Sequence, residues 1–205
     1  LVSPFLVDSV RMELNRQGYA IHTLQNSVLA LKRSGKGELQ SVLPAHTDQP
    51  GVQHESMMYI EIDRCGSAAE LKRLAKSLQE VLGHVRAAVS DFVPMREQAE
   101  AVIKGLKGKQ FSFFPAAERK ECEAFLGWLL EDHFTFLGYE RFNIHEGLKE
   151  QRLGIQPEHC LGVLKLNARD ESLAGLPEKV LDYLREPVLL SFAKASSSSK
   201  VHRPA

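Results

Sequence analysis

Residues 58–82 read MYIEIDRCGSAAELKRLAKSLQEVL, and the apolar period changes inside this stretch. Met58, Ile60 and Ile62 alternate with Tyr59, Glu61 and Asp63, a period of two that predicts a half-buried strand. Four residues on, Ser67-Ala68-Ala69-Glu70 has the spacing of a capping box, in which serine and glutamate satisfy free amides at a helix start. From there the apolar positions fall three and four apart: Leu71, Leu74, Leu78, Leu82, Val85, Val89 and Phe92. That spacing predicts one helix of about 24 residues, roughly 36 Å at 1.5 Å per residue, longer than one small sheet would cover. Strand followed directly by long helix makes the chain a mixture of the two, and the expected class is α+β.

Upstream, Leu6, Val10 and Leu14 recur every four residues, flanked by Phe5 and Val7, with Asp8, Arg11, Glu13 and Arg16 outside the stripe. This predicts a helix opened by Ser3 as N-cap with Pro4 at the first helical position, and stopped at Gly18. Tyr19 to Leu31 turns to β-formers, and the broken alternation at Gln25 to Ser27 predicts a bulge there. Ser34-Gly35-Lys36-Gly37 is a turn, and Glu38 to Leu43 returns as the second strand of a hairpin. Pro44 to His54 reads as a polar loop. No strand precedes the first helix, so a leading strand is expected to lie before residue 1.

Downstream, Pro94 is expected to break or kink the long helix, which resumes from Met95 to Leu106. A linker, Gly105 to Pro115, leads to a helix from Glu118 to Asp132 that buries Phe125, Trp128 and Leu129. Phe134, Phe136, Leu137, Tyr139 and Phe142 then read as an aromatic strand. Leu161 to Leu166 and Val188 to Ala193 read as two further strands, with a short helix at Glu178 to Leu184 between them.

The composition sets bounds on function. Lys plus Arg and Asp plus Glu number 26 each, so there is no cationic surplus for a polyanion, and nucleic acid is not an expected partner. The basic run from Lys104 to Lys109 reads as solvated charge at a helix end. Cys65, Cys122 and Cys160 are isolated and odd in number, forming neither a disulfide framework nor a metal pair, and this fits a reducing, cytoplasmic setting. No apolar run reaches the roughly 18 residues of a membrane helix, so a membrane is not an expected partner either.

Catalytic motifs are weak throughout. No GxGxxG follows a strand, and Gly108-Lys109 fails the phosphate-loop register, with Ile103 five residues before Gly108 and Gln110 where Ser or Thr must hold magnesium. His46 and His54 share one loop without a third ligand nearby. Glu131-Asp132-His133 sits at a helix C-terminus, where a histidine cation is favoured by the dipole without any catalysis. Cys122 lies beside Glu121 and Glu123, which raise a thiol's pKa and so oppose nucleophilic use. No catalytic, cofactor-binding or metal-binding residue is assigned. The remaining candidate is the start of the first helix, where Ser3, Asp8 and Ser9 lie near amides able to attract an anionic effector. For Ser3, a plain capping role outweighs ligand contact.

Helix, strand, hairpin strand, strand and helix, with a leading strand supplied, resemble the β-α-β-β-α-β ferredoxin-like plan of amino-acid-binding ACT domains. Four strings are more specific: Pro4-Phe5-Leu6-Val7-Asp8-Ser9-Val10-Arg11-Met12-Glu13-Leu14, Glu61-Ile62-Asp63-Arg64, Asp132-His133-Phe134-Thr135-Phe136-Leu137-Gly138-Tyr139 and Lys200-Val201-His202-Arg203-Pro204-Ala205. In this order they resemble the N-terminal region of the large bacterial NAD-specific glutamate dehydrogenases, across essentially the whole chain. The resemblance implies a parent enzyme that deaminates L-glutamate with NAD in a core far downstream, and no cofactor in this segment. It also implies an ACT-like module over residues 1–93, a helical connector over 94–132, and a partial PAS-like or second ACT-like module over 133–205. The implied partners are the rest of the same polypeptide, further copies in a homo-oligomer and an amino-acid effector; the alternative is a purely structural scaffold.

Overall fold

The computed structural model describes residues 3–146, 151–155, 159–166, 186, 188–192 and 199–201. The chain divides into two compact units, Leu1–Val89 with Ser199–Ala205, and Ser90–Ser198. Unit 1 contains α1 (Leu6–Arg16), β1 (Ile21–Arg33), β2 (Leu39–Leu43), β3 (Val52–Ile62) and α2, a helix over Ala68–Ser90 whose final residue is assigned to unit 2. Unit 2 contains α3 (Phe92–Gly105), α4 (Ala116–Trp128) and the short strands β4 (Gly138–Tyr139), β5 (Phe142–Glu146), β6 (Gln151–Ile155) and β7 (Leu161–Gly162).

The first helix starts two residues later than its serine and proline suggest. Phe5 holds the N-cap position at φ 66° with no side-chain cap, and Ser3 Oγ donates instead to the Pro4 carbonyl at 3.3 Å. Its end is as expected. Gly18 takes φ +84°, its N–H reaches the Asn15 carbonyl and the Tyr19 N–H reaches the Leu14 carbonyl, a Schellman closure.

Unit 1 has an antiparallel sheet in the order β2-β1-β3. The Ser34–Gly37 turn closes the β1–β2 hairpin, with the Gly37 N–H on the Ser34 carbonyl at 2.9 Å. β3 begins at Val52, so the polar loop is shorter than expected, and β1 pairs with it from Ile21 to Lys32. The ladder runs straight through Gln25 to Ser27. Its register shifts lie at the strand ends, between Ile21 and Thr23 against β3 and between Lys32 and Arg33 against β2. Gln25, Asn26, Ser27 and Val28 are all exposed, so their broken alternation reflects a two-sided wet stretch and not a bulge.

The core of unit 1 joins Val10 and Leu14 of α1 to Leu74 and Val81 of α2, with Ile21, Met58, Ile60, Ile62, Leu78 and Leu82 packed around them. Along α2 the buried stripe is Leu74, Val81, Val85 and Ala88, whereas Leu71 is 57% exposed. The capping box forms half as expected. Ser67 Oγ accepts the Glu70 N–H at 3.2 Å, but the Glu70 carboxylate takes the Gly66 N–H at 2.7 Å instead of the serine amide.

α2 stops at Ser90, not at Pro94 itself. A proline ring clashes with the carbonyl four residues before it, which here is Ser90, so the helix ends there and Pro94 falls in the first turn of α3. Asp91 fills the junction: its carboxylate accepts the Gly162 N–H at 2.9 Å, with Lys165 Nζ at 3.6 Å. Gly162 is required at that turn. It takes φ +65°, and a Cβ there would lie 2.2 Å from the Leu137 carbonyl oxygen.

In the rest of unit 2, α4 ends in a wide turn over Leu129–His133 in which Asp132 takes φ 63°. Arg96 fastens this turn, donating to Asp132 Oδ1 at 2.8 Å and to the Leu130 carbonyl at 2.7 Å. The long aromatic strand does not form. Phe134 is exposed and lies edge-on to Trp128, itself 40% exposed, leaving only Gly138–Tyr139 to pair with Leu161–Gly162. β5 and β6 form a separate antiparallel pair. Val163–Leu166 is a 3-10 turn and residues 188–192 form no strand, while the helix expected at Glu178 to Leu184 lies outside the described residues.

Candidate functional site

The three residues picked from sequence have different surroundings. Ser3 is tied to its neighbouring carbonyl, Asp8 is half-buried in the first turn of α1, and Ser9 is fully buried on the inward side of the helix. The same turn carries a conformational cost. A non-glycine residue in the left-handed region, here Phe5 at φ 66°, costs on the order of 1–2 kcal/mol and marks a place held by its surroundings.

The chemistry that is assembled in unit 1 lies one turn further along α1. Glu13, placed by periodicity on the outside, is 1% exposed. Its carboxylate receives Arg16 Nε and Nη2 at 2.8 and 2.7 Å, Gln17 Nε2 at 2.6 Å, and the Ser77 hydroxyl from α2. The Arg16 hydrogen bonds, joined by those from Ser77 and Gln17, hold Glu13 at a pKa of about 2 against the opposing effect of burial. A carboxylate this stable as an anion is a poor proton acceptor. It works as a seam between the two helices. Elsewhere in unit 1, the Tyr19 hydroxyl donates to Glu70 Oε1 at 2.7 Å, and that hydrogen bond pushes the phenol up and the carboxylate down.

The sheet face that carries Met57 and Tyr59, opposite to Met58 and Ile60 on β3, holds a shallow groove of about 420 Å³. Leu29, Leu31 and Arg33 alternate along β1, Leu39 and Val42 come from β2, and Glu55 and Met57 from β3. Arg33 donates bidentately to Glu55 at 2.6 and 2.7 Å and again to the Gly37 carbonyl at 2.9 Å. Those hydrogen bonds lower the Glu55 pKa and raise that of Arg33, so the pair is closed on itself. What remains is apolar: Met57 is 62% exposed, and Leu39, Val42 and Tyr59 are each more than half exposed. An arrangement of this kind offers an apolar surface beside a closed ion pair.

Unit 2 has a smaller cavity of about 240 Å³ between α4 and residues 189–192, lined by Glu118, Glu121, Cys122, Phe125, Leu189, Leu190 and Phe192. Burial, then the charge of Glu118, raises the Cys122 thiol. The carboxylate responsible is thus one turn away, not the adjacent Glu121 or Glu123. Cys160 is raised by burial and Glu140. The Glu131-Asp132-His133 run is structural: Asp132 receives Arg96, while the His133 ring stacks on Trp128 at 4.5 Å and contacts its carbonyl through Nδ1 at 2.9 Å. Among the described residues no group of three or more His, Cys, Asp or Glu could hold a metal ion, and no helix is long and apolar enough to cross a membrane.

Sequence reasoning missed Glu13, Arg33 and Glu55. The spacing of Glu13, Arg16 and Gln17 at i, i+3 and i+4 was a usable signal for a local cluster. Its burial was not visible, because α2 supplies it.

Residues 3–78 match the family model described as the ACT1 domain of glutamate dehydrogenase. The chain is similar to the NAD-specific glutamate dehydrogenase of Pseudomonas aeruginosa, with 50% identity over 204 residues, covering 98% of this chain and 12% of that protein. The protein of the same name from Halomonas elongata is 43% identical over 205 residues, covering 98% of this chain and 13% of its own length. One from Mycobacterium tuberculosis is 24% identical over 143 residues, 70% of this chain and 9% of that protein. The chain therefore spans about an eighth of the first two relatives.

Proposed function

We propose, for a chain that belongs to the NAD-specific glutamate dehydrogenase family and carries its ACT1 domain in residues 3–78, a non-catalytic regulatory and assembly role within a larger enzyme. The parent enzyme would deaminate L-glutamate oxidatively to 2-oxoglutarate and ammonia in the cytoplasm, with NAD bound elsewhere in the polypeptide. The observation that carries this reading is the ACT1 match on a unit whose Glu13 and Arg33–Glu55 clusters are closed on themselves. The Glu13 seam and the Arg33–Glu55 pair fix structure, and neither cluster presents a group poised to exchange a proton with a substrate.

In this reading residues 1–93 are a ferredoxin-like ACT-type module, 94–132 a helical connector, and 133–205 a partial PAS-like or second ACT-like module. A strand from the rest of the same polypeptide would cover the free edge of β3. An amino-acid effector would sit at the start of α1, near Ser3, Asp8 and Ser9. The experiment is a thermal melt of the purified chain against a panel of amino acids, paired with an assay for glutamate-dependent NAD reduction. One amino acid at 100 times its dissociation constant is expected to add about 2.7 kcal/mol. NAD reduction is expected to be absent, and turnover by the pure chain would overturn the reading.

A second reading, scaffolding without any ligand, is favoured by two observations. Ser9 is fully buried, and the groove face exposes apolar side chains next to β3, which among the described residues is an edge strand of the kind that recruits partners. Here the melt responds to no amino acid, while sedimentation equilibrium shows a homodimer or higher species that Met57→Lys weakens. A chain that stays monomeric at high micromolar concentration would count against scaffolding.

A further inference from the structure

The end of the described chain returns to α2, and nothing in its polar composition announces this. Val201 is 7% exposed, and Lys200 Nζ meets Glu80 Oε2 at 2.6 Å. A local turn shapes the segment: Ser199 Oγ accepts the Val201 N–H at 3.0 Å and donates to the Val201 carbonyl at 2.9 Å. Residues 199–201 belong to the same compact unit as α2, whereas Ser90–Ser198 form the other. They are thus a strap that fastens the returning chain to the helix it left.

The strap is seated over a charged row. Lys76, Glu80 and His84 are spaced four apart and so share one face of α2. Lys200 pairs with the middle member, and His84 beside it is half-buried. The charged groups acting on His84 are Glu80 from its own helix and Lys200 from the strap, with Lys76 beyond Glu80. With His84 neutral, one carboxylate serves two lysines. A proton on His84 would put a third cation on the same carboxylate, face the Lys200 ammonium, and charge a ring that is partly out of water.

We propose that Ser199–Val201 is a proton-sensitive latch on α2, seated while His84 is neutral and loosened when His84 is protonated. Burial first, and then the Lys200 ammonium, hold the His84 imidazole below its ordinary 6.5, against the opposing pull of Glu80. The sign follows from linkage. The loosened state binds the proton more readily, so seating is fully favoured above about pH 6.5 and weakens as pH falls through that value toward the depressed one. The latch needs only α2 and the strap, and stands apart from effector binding.

The test is hydrogen exchange on the whole 205-residue chain at about pH 7.5 and about pH 5.5, corrected for the intrinsic pH dependence of amide exchange. Peptides covering residues 199–201 should open several-fold at the lower pH, while amides of Leu74 to Val85 stay protected. His84→Gln should remove that response. A proton NMR titration of the His84 ring gives an independent measure, and Lys200→Gln should raise its pKa toward 6.5. A pH-insensitive strap, an unchanged response in His84→Gln, or a His84 pKa indifferent to Lys200 would each overturn the latch.

Discussion

Val81→Asp is expected to abolish cooperative unfolding of unit 1. Val81 is 0% exposed and belongs to the cluster that joins α2 to Val10 and Leu14 of α1. A carboxylate placed there has no partner and no water, and burying it costs several kcal/mol even if it takes up a proton. A domain is stable by only about 5–15 kcal/mol, so one such group consumes most of the margin. Two companions on the same helix separate this cause from general intolerance. Val81→Ala should lose about 2 kcal/mol through the cavity it leaves, yet still fold. Leu71→Asp should stay within about 0.5 kcal/mol, because Leu71 already faces water. Urea unfolding followed by far-UV circular dichroism reads all three. An unchanged midpoint in Val81→Asp would show that the buried stripe is wrongly placed.

The second large effect is expected at Glu13. Its folded pKa of about 2 lies below the ordinary 4.5, so the unfolded chain binds the proton more readily and the stabilisation belongs to the ionised form. That contribution is complete above about pH 4.5 and is lost as pH falls toward 2. Each pKa unit corresponds to about 1.4 kcal/mol, but Arg16 is 56% exposed and solvent screens its share, so a total of about 2 kcal/mol is expected. Glu13→Gln should therefore be less stable than the parent by about 2 kcal/mol at neutral pH, with Ser77 and Gln17 left on a weaker acceptor. More than half of that difference should vanish by about pH 3. Parallel urea titrations of the two proteins at each pH isolate Glu13 from the other carboxylates. A gap independent of pH would mean that Glu13 is not ionised in the seam.

Both predictions rest on residues whose roles were unequally visible in the amino-acid order. Devices that complete themselves within a few residues were legible. Gly18 stops α1 because only a left-handed residue lets the following amides reach back to Asn15 and Leu14. Ser67 opens α2 by accepting the Glu70 amide three residues on. Ser34 to Gly37 reverses the chain, and the alternation at Met58, Ile60 and Ile62 marks the face of β3 that meets the core. Hence the mixed α and β class and the order of elements through α2 were readable, and so was the family resemblance carried by strings such as Pro4 to Leu14.

What escaped was decided by partners distant in the chain. The helical period allows a broad apolar arc on α2, and only contact with α1 and the sheet selects Val81 over Leu71. Glu13 looks like a surface charge until Ser77, 64 residues later, closes the seam above it. The aromatic run after His133 has strand composition, yet the left-handed Asp132 and the ring of Trp128 draw Phe134 out of any ladder. Ser3, Asp8 and Ser9 were selected for a helix start that the chain instead makes at Phe5, and burial of Ser9 depends on packing across the unit. The strap is the extreme case: Lys200 finds Glu80 across 120 residues, and local composition carries no signal for a contact whose two halves meet only after the fold has formed.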